Sequence, residues 1–159
     1  MLLAPHTLTG VAIGAAIPNI YIAVPLSFIA HFAGDLVPHW DFFDHFPKRN
    51  ELIKGWQGFL FFADMLLGVV FGLYFSMHAL VINHDSYLAL KIFLCGIAAV
   101  LPDAMYAPIV LWNSQNKILR WFYNVQGKLH NHAGPFWGNV TQVTIAVAAF
   151  LVTSSLLAR

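Results

Sequence analysis

The chain has 159 residues, of which 59% are hydrophobic and only 9% are Asp, Glu, Lys or Arg, and its formal net charge is +1. Soluble domains carry about 25% charged residues, so this composition excludes a typical water-soluble domain and predicts a single integral membrane domain over residues 1–159. The sequence has no basic run of the kind that indicates a nucleic-acid partner, and its one cysteine excludes an intrachain disulfide. The partner that such a surface predicts is membrane lipid.

The first two predicted helices begin in residues 1–34, a stretch without any Asp, Glu, Lys or Arg. Pro18 and Asn19 divide it, because proline ends or kinks a helix and Pro-Asn favours a turn. We therefore predict a hairpin of two helices, over about residues 4–17 and 22–37. Both are short for a full membrane span, so they are expected to tilt or to turn below the far surface.

Small residues occupy one side of the first predicted helix, where Thr7, Gly10 and Gly14 follow one another at spacings of three and four. In lipid, such residues are typical of closely packed helix interfaces. The pattern therefore predicts that this helix lies against a neighbour.

Three further apolar stretches predict helices over about 57–82, 88–112 and 136–157. In the mixed segment 113–135, the sequence ILRWFYNV is amphipathic and is expected to lie at the membrane interface. The predicted fold is thus an all-α membrane bundle of about five helices. GAAIPNIYIAVPL (14–26) resembles IAAVLPDAMYAPIVL (97–111), which leaves open an ancient duplication of a helical hairpin or a chance match between apolar helices.

The loop charges predict an orientation. Loops 39–56 and 113–135 lie on the same side of the predicted bundle and hold six of the eight Lys and Arg residues, whereas the 83–87 link on the other side holds none. The positive-inside rule then places these loops and the N-terminus in the cytoplasm. We expect the cytoplasmic membrane of a prokaryote.

On this topology most histidines and aspartates fall at one membrane face. Ionisable side chains at membrane depth are costly, and they usually line a site or pair with one another. The far face is predicted to hold only His78, His84 and Asp85. The residues predicted at the cytoplasmic face are His6, His31, Asp35, His39, Asp41, Asp64, Asp103, His130 and His132.

The densest part of this set is the H-x-x-x-D-x-x-x-H run of His31, Asp35 and His39. Residues four apart lie on one face of a helix, so these side chains are expected to point in one direction. Imidazole and carboxylate donors suit zinc, iron or manganese. The alternative is a hydrogen-bonded cluster that only ties the helices together. The sequence leaves open whether His130 and His132 join the site.

Other chemistries lack their motifs. The sequence contains no H-E-x-x-H protease motif, no G-x-S-x-G nucleophile elbow and none of the paired histidine motifs of membrane di-iron enzymes. The chain is too short, and has too few predicted spans, for a typical secondary transporter. A small channel or carrier would need polar residues that continue to the far face.

PHTLTGVAIG, AHFAGDLVPH and AVLPDAMY resemble segments of the membrane-bound metal-dependent hydrolases, a family of small polytopic proteins. H-x-x-x-D with a downstream histidine is also similar to part of the ligand set of zinc-dependent phospholipase C. The chain departs from the family pattern at Met105, where a second aspartate is usual, at Ala30, where a serine is usual, and in lacking H-R-G-x-T-H-S. The resemblance implies the metal ligands His6, His31, Asp35 and Asp103, with His39 as a further one.

Together these observations predict a metal-dependent hydrolase at the cytoplasmic interface, acting on a phosphoester or ester of a lipid-like substrate. A divalent ion, zinc before manganese or iron, would activate water and polarise the substrate. Asp41 or Asp64 would serve as the general base. The alternative is a non-enzymatic membrane scaffold or metal-binding protein whose His/Asp cluster is structural. The oligomeric state is left open.

Overall fold

The computed structural model describes residues 1–42 and 55–159. Lys48, Arg49 and Lys54, on which part of the predicted orientation depends, lie outside these residues. Over the described ranges no residue belongs to a β-strand, so the predicted all-α class is confirmed. The helices are α1 (Leu3–Ala16), α2 (Ile20–Leu36), α3 (Trp56–Val81), α4 (Ser86–Trp112), α5 (Lys117–Leu129) and α6 (Pro135–Leu157).

The predicted count of five helices was wrong, because the two described ranges contain six. The additional helix is α5, which the sequence indicated only as an amphipathic segment. The Asn116 side chain accepts hydrogen bonds from the backbone N–H groups of Ile118 and Leu119, and this cap starts the helix. Alternating polar residues lower the average hydropathy of α5, so a search for apolar runs does not detect it as a helix.

Three helices, α3, α4 and α6, are long and apolar enough to cross a membrane. Only 22% of the most apolar window of α3 and 17% of that of α6 is buried inside the molecule, so both helices present large apolar surfaces outward. Such surfaces are stable in lipid and costly in water. The chain is therefore a membrane protein, as the composition predicts.

The two N-terminal helices are shorter than the hydrocarbon core. At 1.5 Å per residue, the 14 residues of α1 extend about 21 Å and the 17 residues of α2 about 26 Å, against about 30 Å of hydrocarbon. Helix α1 is nevertheless the centre of the bundle, because it contacts α2, α3, α4 and α6.

Close packing between α1 and α4 depends on glycine, as the small-residue pattern predicts. A Cβ atom added at Gly10 would lie 2.6 Å from the Cβ atom of Ala99 and would also collide with the carbonyl of Cys95. One added at Gly14 would lie 2.9 Å from the Cα atom of Ile92. The two helix backbones can approach this closely only because these positions lack a side chain.

Polar contacts show which helix ends meet. The backbone N–H of Leu3 at the start of α1 donates to Asp64 in α3 (2.6 Å), while His31 of α2 lies 3.5 Å from Asp103 of α4. We call this end, which holds His6, His31, Asp35 and Asp103, the polar end. At the opposite end, Asn83 donates to the carbonyl of Leu157 (2.8 Å).

We predict that Gly10→Ala destabilises the protein by about 1–3 kcal/mol, because the added methyl group overpacks the contact between α1 and α4. Thermal unfolding in detergent, followed by circular dichroism, measures the effect. Gly72→Ala in α3 is the matched control, since its Cβ atom would meet only an ordinary contact, 3.5 Å from Thr7 Cγ2. Equal melting temperatures for the two variants would contradict the prediction.

Candidate metal centre

Asp35, near the C-terminal end of α2, lies at the middle of the polar end and is 1% exposed. Its Oδ1 atom accepts a hydrogen bond from the Met1 ammonium (2.7 Å) and lies 3.1 Å from His6 Nε2. Its Oδ2 atom is buried and forms no hydrogen bond, although His31 Nε2 is only 3.3 Å away. One oxygen of this buried carboxylate therefore lacks a donor.

The other ring nitrogen of His31 bonds to the backbone of α4. His31 Nδ1 lies 2.7 Å from the carbonyl oxygen of Ala99, and because a carbonyl only accepts, Nδ1 carries the hydrogen. In the neutral imidazole, Nε2 then presents a lone pair to Asp35 Oδ2 at 3.3 Å and to Asp103 Oδ1 at 3.5 Å. Acceptor atoms that face one another this closely require a shared proton or a cation. A histidine oriented by a backbone carbonyl is typical of metal ligation.

Gln126 of α5 is a residue of this centre that the sequence did not reveal. Its side-chain nitrogen donates to Asp103 Oδ1 and lies 3.1 Å from His31 Nε2, and the residue is 3% exposed. Its amide thus supplies donors to two of the converging acceptors. The sequence feature that could have indicated Gln126 is its spacing of four from Phe122, which places both residues on one face of α5. The Phe122 ring packs against Phe28, so this face is turned to α2.

A first group of donors comes from α1, α2 and α4. His6, His31 and Asp103 each offer one atom, and these atoms all lie within 4.8 Å of one another. The His6 and His31 rings are stacked, with centroids 3.9 Å apart and an angle of 22° between their planes. All three residues were predicted as ligands, and the fold brings them together from three helices.

A second set of donors lies beside the first, where α2 ends. His39 Nδ1 lies 2.7 Å from the carbonyl of Val37 and so carries the hydrogen. His39 Nε2 faces His130 Nε2 at 3.0 Å and Asp41 Oδ2 at 3.2 Å, and His130 also contacts Asp41. Two groups here have donor atoms within 4.8 Å of one another: Asp35, His39 and His130, and Asp41, His130 and His132.

Backbone hydrogen bonds carry the loop after α5 into this set. The N–H of Asn131 donates to the carbonyl of Asp35 (3.0 Å), and its own carbonyl accepts from the N–H of His39 (3.0 Å). This pairing positions His130 and His132 on either side of Asn131. His130 is partly buried and belongs to two of the groups, whereas His132 is exposed and belongs to one. Both histidines therefore join the cluster.

The charge state of Asp41 follows from its neighbours. Burial favours the neutral carboxyl, but the contacts with His130 and His39 and the nearby Met1 ammonium outweigh it and hold the pKa of Asp41 below its usual range. Asp41 is therefore ionised at neutral pH and is a weak base. Burial, followed by the proximity of His130, lowers the pKa of His132, which favours the neutral imidazole that binds metals.

The polar end carries more negative than positive formal charge. Asp35 and Asp41 face the Met1 ammonium at 2.7 and 3.8 Å, and Asp103 beside His31 adds a third carboxylate. Within residues 1–42 and 55–159, no Lys or Arg side chain forms an ion pair with these carboxylates. Protonated histidines or a bound cation must balance the remaining charge.

Asp64, the second residue predicted as a general base, has a different position. Its two oxygens accept hydrogen bonds from the backbone N–H groups of Leu3 (2.6 Å) and Ala4 (3.2 Å). The carboxylate thus caps the N-terminus of α1, where negative charge is favoured, and it belongs to none of the donor groups. The role that this geometry supports for Asp64 is positioning of α1, and its role as a general base stays a prediction.

Polar side chains of α6 also position the polar end. Gln142 accepts from the N–H of Leu2 and donates to the carbonyl of Trp40, each at 2.7 Å. It therefore fixes both the start of α1 and the segment that follows α2. Asn139, a further polar residue at the start of α6, is exposed and donates to the carbonyl of Pro135.

The residues of the opposite end form local contacts. His78 Nδ1 lies 3.1 Å from Asn83 Oδ1, and Asp85 caps α4 by accepting from the N–H of Leu88 (2.8 Å). These contacts are separate from the donor groups of the polar end.

The chain thus has His and Asp groups that could bind a metal ion, which confirms the cofactor prediction in this coarse form; the identity of the metal stays a prediction. Comparisons with family models, with curated proteins and with solved structures found no match.

We predict that Asp64→Ala lowers the free energy of unfolding by about 0.5–2 kcal/mol, as expected for a lost helix cap, and leaves the metal content per chain unchanged. Asp85→Ala, which removes the cap of α4 at the opposite end, is the matched control. Chemical denaturation and elemental analysis measure the two properties. Loss of metal in Asp64→Ala alone would show that Asp64 belongs to the donor set.

We predict that Gln126→Leu enlarges the stabilisation that added metal gives. Without metal, the variant leaves acceptors of His31 and Asp103 without a donor, a cost of about 1–3 kcal/mol, and a bound metal ion removes this cost. The measurement is the difference in melting temperature between chelated and zinc-loaded protein. If zinc raises the melting temperature of the variant and of wild type by the same amount, the metal does not satisfy the acceptors to which the Gln126 amide donates.

Proposed function

We propose that the chain is a metal-dependent hydrolase whose centre lies at the membrane interface. The observation that carries the proposal is the approach of His31 Nε2 to 3.3 Å from Asp35 Oδ2, which has no hydrogen-bond partner, while His31 Nδ1 is held by a backbone carbonyl. A metal ion satisfies both atoms at once. Asp103 and His6 complete a donor set of the kind that zinc and other transition metals accept.

Zinc is the proposed ion because imidazole and carboxylate donors in a buried, fixed arrangement suit its low coordination number. Manganese and iron accept the same donors and are the alternatives. When bound, such an ion lowers the pKa of a coordinated water and polarises an ester or phosphoester oxygen. The contribution of the chain is to orient His31 through the Ala99 carbonyl, and to exclude bulk water from His6 and Asp35.

The position of the centre favours a lipid-like substrate. It lies where the apolar spans end, and the amphipathic helix α5 covers it through Gln126. Ile118 and Trp121 of α5 are 66% and 60% exposed, and the helix also carries Lys117, Arg120 and Lys128, a composition typical of helices that lie in the headgroup region. An ester or phosphoester of a lipid at this depth would meet the exposed side of the cluster at His132.

The same basic residues support the orientation. Lys117 and Arg120 lie on the side of the polar end, which the positive-inside rule assigns to the cytoplasm. We therefore propose a protein of a prokaryotic cytoplasmic membrane with its N-terminus and its centre on the cytoplasmic side.

The second candidate is a non-enzymatic membrane scaffold. It is favoured by the fact that the polar contacts join different helices, as when Asp35 of α2 contacts His6 of α1 and Gln126 of α5 contacts Asp103 of α4. A hydrolase would cleave lipid esters or phosphoesters, whereas a scaffold would not.

The test is metal content and lipid hydrolysis by the full chain, purified without chelators and placed in nanodiscs. Wild type is expected to retain metal and to cleave phospholipid or ester probes, whereas His31→Ala and Asp35→Ala lose activity at least about 100-fold because a ligand is removed. His78→Ala, at the opposite end, is expected to behave as wild type.

Absence of metal from wild type, even after addition of zinc, manganese or iron, would disprove the hydrolase proposal. Bound metal without turnover of lipid esters would leave the scaffold as the function.

A further inference from the structure

We propose that the polar end holds two metal ions rather than one, with the carboxylate of Asp35 shared between them. The inference rests on the proposed function for its chemistry, but the arrangement of donor atoms that supports a second ion is an independent observation. The first position is the one among His6, His31 and Asp103. The second lies among His39, His130 and Asp41, where α2 ends and the loop after α5 begins.

Asp35 belongs to both positions by contact. Its carboxylate approaches His6 Nε2 at 3.1 Å and His31 Nε2 at 3.3 Å on one side. It also forms a donor group with His39 and His130, whose ligand atoms lie within 4.8 Å of one of its oxygens and of one another. Paired metal sites place their ions about 3.5–4 Å apart and can share a carboxylate between them. Asp35 Oδ1 and His39 Nε2 both lie 2.7 Å from the Met1 nitrogen, so this oxygen lies near the second position as well as near His6.

The second position also gathers several possible ligand atoms. The hydrogen of His39 is committed to the Val37 carbonyl, so its Nε2 lone pair faces His130 Nε2 at 3.0 Å and Asp41 Oδ2 at 3.2 Å. His130 places its Nε2 atom against the same carboxylate, and its Nδ1 atom is buried without a hydrogen-bond partner. Three donor atoms thus converge on one small volume.

A cation already lies beside this volume. The Met1 ammonium is 2.7 Å from both Asp35 Oδ1 and His39 Nε2 and 3.8 Å from Asp41 Oδ1. A divalent ion at the second position would displace the ammonium, or share these donors with it.

His132 gives the second position an open side. It completes a donor group with Asp41 and His130 and is exposed, whereas His6, His31 and Asp35 are about 1% exposed. An ion at the second position is therefore the one nearer the surface, and it would meet an arriving phosphoester oxygen first. The buried ion would lie behind it, beyond the shared carboxylate.

The experiment titrates the chelator-stripped full chain in detergent with Zn²⁺ alone and with Mn²⁺ alone. We expect wild type to bind about two equivalents of Zn²⁺ per chain, and the Mn²⁺-loaded protein to give the electron paramagnetic resonance spectrum of a coupled pair, as ions about 3.5–4 Å apart must. His130→Ala should weaken the second equivalent at least about 100-fold, while the matched variant His78→Ala should bind as wild type does.

Binding of a single equivalent by wild type, with the spectrum of isolated Mn²⁺, would overturn the shared centre while leaving a one-metal hydrolase intact. Two equivalents without magnetic coupling would also overturn it, because the ions would then lie too far apart to share Asp35. Binding of no metal would overturn this inference and the proposed function together. The wild-type spectrum decides the question even if His130→Ala fails to fold.

Discussion

The structure depends on the burial of one carboxylate, that of Asp35. An ionised group removed from water costs several kcal/mol unless neighbouring groups compensate it. Here His6, His31 and the Met1 ammonium surround it, so the start of α1 must lie beside the end of α2. The constraint extends outward, because the partners of Asp35 need partners of their own in α4, α5 and the loop that follows.

Helix packing makes this burial possible. α1 is short, yet it contacts four other helices, and Gly10 and Gly14 let its backbone approach α4 closely. That approach brings His6 near His31 and Asp103. Asp64 of α3 then fixes the position of the start of α1 by capping its first turn. Glycines in the apolar part of the bundle and an aspartate at its edge thus jointly set the positions of the donor atoms.

The chemistry of the polar end follows from an imbalance between donors and acceptors. Backbone carbonyls of Ala99 and Val37 take the Nδ1 hydrogens of His31 and His39, so in the neutral rings the Nε2 lone pairs are directed at carboxylates. Gln126 compensates part of this imbalance, and the ammonium of Met1 another part. Such an arrangement is stable with a cation and costly without one. It lies at the boundary of the apolar spans, with His132 exposed at its edge.

By itself, the sequence determined the membrane class, the main apolar helices and the shared face of His31 and Asp35, because hydropathy and helical periodicity are local properties. It did not reveal α5 as a sixth helix, since an amphipathic segment has no apolar run, nor the capping role of Asp64. Only the tertiary structure placed Gln126 and His130 in the cluster. Their positions depend on contacts between distant segments, such as the hydrogen bond from Asn131 to Asp35, and periodicity within one helix carries no information about which helix ends meet.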